Sequence, residues 1–225
     1  MNTTPNFKID LVSLLDRTPA EVETIVKTNY KCPLKDLKFL DLLTNPVTVS
    51  KDRTLRHGVY VFFDQNGNPL YVGMCASSHF ARRIGAHFGL SPNYSDNQFL
   101  DGMVKKLRTQ KERDRERWQV YAHTVREIGD HSLLLVAVNT LPEYITDLQW
   151  KRGEERKKRD STEKEAVIKQ LEKIFIRLFN PCLNIQGKRN PYEPDAKLRT
   201  IREYLADALK KHQKEQCLKH GERKK

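Results

Sequence analysis

Gly58-Val59-Tyr60 and Tyr71-Val72-Gly73 form two short glycine and tyrosine signatures, followed by Arg83 and His87 and, far downstream, by Glu172, Pro181 and Asn184. These residues offer two phenols, a guanidinium, an imidazole and a carboxylate, the groups that cleavage of a phosphodiester with a single divalent metal requires. An arginine can grip a phosphate with a fork of donors and stabilise the charge that builds up in a pentacovalent transition state. A carboxylate beside apolar surface is costly unless a metal or an arginine partners it.

The elements that must position these groups follow from pattern. Val59 to Phe63 and Leu70 to Val72 are strand-like and flank Asn66-Gly67, a strong hairpin signal. A two-residue loop there sets Tyr71 opposite Phe62 and turns Tyr60 and Tyr71 to one side of the sheet. A loop one residue longer would reverse that relation. Gly58 and Gly73 bracket the pair, as expected where another group approaches the backbone closely. Ser77 or Ser78 can cap a helix through Phe80 to Phe88, on which Arg83 and His87 share a face and Arg82 points elsewhere. On a helix from Glu163 to Phe179, Val167, Ile168, Leu171, Ile174, Phe175, Leu178 and Phe179 make a wide apolar arc, with Glu172 toward its edge. Glu165 has a similar azimuth and is the alternative ligand.

The rest of the chain frames this core. From Phe7 to Val26 apolar residues recur at helical spacing, with Asp10 to Leu15 as one stripe and a second helix opening at Thr18-Pro19, and Leu34 to Leu43 reads as a third. A helix is expected over Asn97 to Leu107, a solvated helix surface over Lys105 to Arg117, and a buried strand over His131 to Val138. Lys151 to Lys164 reads as an exposed charged insertion, and Ala196 to Leu218 as a last basic helix.

The 225 residues carry a net charge of +12, which favours a polyanionic partner. The longest apolar run, Leu133 to Val138, is far short of the roughly 20 residues that span a bilayer, so no membrane is expected and the chain should be cytoplasmic. The four cysteines lie far apart without a C-x-x-C pair, which argues against a disulfide framework or a zinc knuckle.

The ordered motifs resemble the GIY-YIG nuclease superfamily. Gly58-Val59-Tyr60 stands for its first motif, Tyr71-Val72-Gly73 for its second, Arg83 with His87 for its helix motif, and Glu172 with Pro181 and Asn184 for its metal-binding glutamate and closing P-x-x-N. The stretch between Tyr71 and Arg83 is slightly longer than in the commonest members. The resemblance implies an α+β fold, with a small three-stranded antiparallel sheet flanked by helices at residues 57–185 and an insertion around 142–162. Residues 1–56 would be a helical N-terminal extension, and 186–225 a basic C-terminal helix and tail.

It also implies hydrolysis of DNA with magnesium, or another divalent cation such as manganese, held by Glu172. Tyr60 or Tyr71 would position or deprotonate the attacking water, Arg83 would clamp the phosphate, and His87 would assist that proton network or bind the leaving side. Asn184 would brace the core. A tyrosine of ordinary pKa, about 10, becomes a base at neutral pH only in the field of the metal and of Arg83. The basic flanks, Lys151, Arg152, Arg156, Lys157 and Lys158 with Lys188 and Arg189, would hold phosphates along the duplex. The expected function is a restriction or defence type endonuclease. Alternatives are a nuclease acting on repair, recombination or mobile-element DNA, and a DNA-binding module without turnover. Cutting both strands would call for a homodimer or two encounters.

Overall fold

The structure, a computed structural model, describes residues 6–42, 57–76, 79–90, 98–138, 154–184 and 199–222. Its fold is α+β, built on a five-stranded mixed sheet. β3 (Gly58–Phe63) lies between β4 (Pro69–Cys75) and β5 (Ser132–Ala137), antiparallel to both. These three strands match expectation; the sheet as a whole does not. β1 (Lys8–Asp10) runs parallel to β5, pairing Lys8 with Leu135, and β2 (Cys32–Pro33) pairs antiparallel with the start of β5. The N-terminal segment is therefore woven into the sheet and is not purely helical.

A sequence stretch with helical apolar spacing became a strand at Lys8–Asp10 because tertiary pairing with β5 overrides weak local propensity. Only a 3-10 turn, Leu11–Leu14, follows it, and Leu34 to Leu43 yields two further short 3-10 turns, Leu34–Asp36 and Phe39–Leu42. The helix predicted after Thr18 is present as α1 (Pro19–Thr28). Its capping box is complete: Glu21 accepts from the Thr18 backbone at 2.8 Å, and Thr18 Oγ1 accepts from the Glu21 N–H at 3.4 Å.

The hairpin reaches its predicted register by a different route. Asp64 accepts from the Gly67 N–H and donates to Asn68, and Gly67 adopts φ +80°, so the loop is one residue longer than two. A register shift between Phe62 and Phe63 absorbs the extra residue. Phe62 thus still faces Tyr71, and Leu70 joins Tyr71 on the same side of the sheet.

Past the hairpin come α2 (Phe80–Gly85), a π-helical turn (Ala86–Leu90), α3 (Gln98–Leu107), the short α4 (Gln110–Arg113), and α5 (Arg117–Glu127), which sequence patterning did not suggest. α6 (Glu154–Phe179) begins well before Glu163, so part of the expected insertion is helix. Its first turns are rich in Glu, Lys and Arg, which are good helix formers even without apolar periodicity. Asn180, at φ 42°, ends α6 in the left-handed conformation ahead of Pro181. α7 (Ile201–Glu222) closes the chain.

The two faces of the sheet bury separate cores. On one, Val59, Val61, Val72 and Val136 pack with α1, α6 and α7 through Val22, Leu171, Phe175, Ile201 and Leu205. On the other, Tyr60, Phe62, Tyr71, Leu133 and Leu135 pack with α2 and α3 through Phe80, Ile84, Phe99 and Met103. α7 is also clasped to the N-terminal segment: Arg202 grips Asp16 with two hydrogen bonds of 2.7 Å, and the Arg202 backbone N–H donates to Leu15 at 2.8 Å.

Candidate functional site

The second core contains the motif residues. Tyr60 and Tyr71 emerge on the same face with ring centroids 6.3 Å apart. Gly73, opposite Tyr60, is required by that packing, because a Cβ there would sit 2.4 Å from Tyr60 Cζ and Oη. Gly58 is required on two counts: φ is +149°, and a Cβ would meet the Val136 carbonyl oxygen at 2.0 Å.

His87 reaches the tyrosines from the π-helical turn. Its Nε2 lies 2.5 Å from Tyr60 Oη, and its Nδ1 accepts from the Phe99 N–H at 3.4 Å. An Nδ1 that accepts is unprotonated, so neutral His87 carries its proton on Nε2 and donates it to Tyr60. Burial, with the nearby Arg83 charge, lowers the His87 pKa to about 3, which keeps the ring neutral. The rings of Tyr60, Phe62, Tyr71 and Phe99 surround it, with Tyr71 5.1 Å away between centroids. Sequence reasoning placed His87 on the Arg83 face of a regular helix, but the widened π turn changes its azimuth and drives it into the core. No sequence signal marks that turn.

The cap of α2 also differs from expectation. Ser77 and Ser78 lie outside the described residues, and His79 is the N-cap, its Nδ1 accepting from the Arg82 N–H at 3.2 Å. Arg82 is exposed, whereas Arg83 is half-buried and donates to Tyr60.

Glu172 approaches from α6, which packs on β3 and β4 from the other face. It is half-buried at the margin of the apolar arc, near enough for its charge and that of Arg83 to act on each other, and for its own charge to act on Tyr71. Burial raises its carboxyl to about 7, although Arg83, Lys173 and Lys169 pull the other way. Burial likewise pushes Tyr60 well above the usual phenol range and Tyr71 to about 12. Neither phenol is ionised at neutral pH in the protein alone.

Glu165 does not join the site: it forms an ordinary surface ion pair with Lys169 at 2.7 Å. Asn184 braces the core, its Oδ1 accepting from the Val72 N–H and its Nδ2 donating to the Val72 carbonyl, both at 2.8 Å. Leu183 N–H adds a bond to the Leu70 carbonyl at 2.9 Å. Lys151, Arg152, Lys188 and Arg189 lie outside the described residues, as do the side chains of Arg156, Lys157 and Lys158 on α6.

The donor set suits a hard, largely hydrated cation. A carboxyl that burial holds near 7 is relieved by a positive ion, and magnesium commonly takes one or two carboxylates plus water and phosphate oxygens. Among the described residues no group of three His, Cys, Asp or Glu side chains builds a fuller cage. Also among them, no helix is long and apolar enough to cross a membrane. Comparison with known proteins finds no matching family model, curated protein or solved structure.

Proposed function

We propose that this chain is a metal-dependent endonuclease of the GIY-YIG type that hydrolyses DNA phosphodiester bonds, of the restriction or defence kind. One observation carries the proposal: residues from a hairpin, a π-helical turn and a helix more than eighty positions downstream converge on Arg83. Tyr60, Tyr71, His87 and Glu172 all interact with its charge.

Hydrolysis adds the hydroxyl of water to phosphorus and returns a proton to the departing ribose oxygen. Arg83 would hold the scissile phosphate and offset charge on its non-bridging oxygens. Tyr60 is fully buried, so its part is to hold Arg83 in place, itself fixed by the Nε2 proton of His87. Tyr71, 4% exposed and close enough to Glu172 to feel its charge, would be the phenol that hydrogen-bonds the attacking water. Glu172 would hold a magnesium or manganese ion, which supplies charge neutralisation at phosphate and acidifies a bound water.

Incubation of the protein with plasmid and magnesium, beside Glu172→Ala, tests the proposal. Cleavage by wild type and none by the variant is expected. Discrete fragments indicate sequence specificity, a smear indicates none, and cutting confined to branched DNA moves the assignment to repair. Equal cutting by both proteins, or binding without cutting by wild type, overturns it.

A further inference from the structure

α5 carries an outward stripe that the proposed chemistry does not use. Trp118, Gln119, Ala122, His123 and Arg126 recur at helical spacing and are exposed, and Arg115 just precedes them; Trp118 is 62% exposed. Of the acids nearby, Glu112 accepts from Thr109 in a capping box, Asp114 accepts from Gln110 at 2.9 Å and Glu127 pairs with Arg108, while Glu116 is exposed three positions before Gln119, at the edge of the stripe.

Arg115, Gln119 and His123 also line one wall of a cavity of about 150 Å³, closed by Arg108, Glu112 and Val120. The other side of α5 buries Val120 and Thr124. That side packs on α3 and on the π-helical turn that carries His87.

We infer that this face of α5 is a docking surface for duplex DNA, the substrate assigned under the proposed function, with Arg115 and Arg126 on phosphates and Trp118 and Gln119 against the duplex. Charge complementarity selects the occupant. Two arginines, a glutamine and a histidine against one flanking acid, Glu116, leave the stripe net positive, which disfavours a second copy of itself and attracts a polyanion, and an exposed indole gives that polyanion a flat apolar contact. A helix held against the His87 turn would tie docking to the catalytic residues.

The test measures binding without catalysis, so it is separate from the fate of the nuclease assignment. A labelled 30-base-pair duplex is titrated in EDTA at several salt concentrations with wild type, with Arg115→Ala/Arg126→Ala, and with Lys210→Ala/Lys211→Ala on α7 as control. The α5 variant is expected to bind at least about tenfold more weakly, with a salt slope shallower by about 0.9 for each lost phosphate contact. The control should stay near wild type. In a Trp150→Phe background, DNA should change the fluorescence of Trp118, the remaining tryptophan of two. Unaltered binding by the α5 variant, an unresponsive Trp118, or no duplex binding by wild type at low salt overturns the inference. So does a wild-type dimer that Trp118→Ser dissociates while DNA binding persists, since the face would then belong to a second copy.

Discussion

At the scale of single residues, Glu172 holds the most testable chemistry. Its carboxyl binds a proton more tightly in the folded chain, at about 7, than at its ordinary value of 4.5. The stability it contributes is complete below 4.5 and is lost as pH rises through 7. At pH 8 and above the loss is about 3 kcal/mol, at about 1.4 kcal/mol per pKa unit. Glu172→Gln should therefore match wild type near pH 4.5 and exceed it above pH 7 in metal-free denaturant melts, and magnesium should raise the melting temperature of wild type alone at pH 8. Gly73 gives a steric counterpart. Gly73→Ala should cost about 1–3 kcal/mol because its Cβ collides with the Tyr60 ring. Most of that cost should vanish in a Tyr60→Ala background, a double-mutant cycle that measures the contact directly.

At the scale of elements, the pairing of Asn184 with Val72 joins the end of α6 to β4. Asn184→Ala should cost about 2 kcal/mol, since it strands a buried N–H and a buried carbonyl, and it should speed hydrogen exchange at Val72. Elements with strong local signals were legible in the sequence: the hairpin, the capped α1, α3, β5 and the apolar half of α6. So was the convergence of Tyr60, Tyr71, Arg83 and Glu172. Lys8–Asp10 was not, because strand identity there comes from pairing with residues more than a hundred positions away. α5 was hidden because it buries only a narrow face, at Val120 and Thr124, so charge masks its period. The hairpin register was right for the wrong reason, a longer loop and a shifted register cancelling each other. The π-helical turn sets where His87 points, and no local signal in the sequence marks it.

At the scale of the molecule, the expected extensions are not appendages. Ile201, Leu205 and Leu209 of α7 are buried with α6 and the sheet, and Leu11, Leu14 and Val22 join the same core. Leu205→Ala should cost about 2–5 kcal/mol and lower the unfolding midpoint equally by circular dichroism and fluorescence, as a single cooperative unit requires. A midpoint shift in one probe only would mean that the C-terminal helix unfolds by itself.

The pairing of β1 and β2 with β5 has a further consequence for anyone trimming the protein toward its motifs. Among the described residues, those two short strands are what pairs with the backbone of β5 on that flank. A chain starting at residue 57 would present that apolar ribbon with its amides unsatisfied, a template on which another molecule can add a strand. It should scatter light at concentrations where the full chain stays clear, and a synthetic peptide spanning residues 6–42 should suppress the clumping.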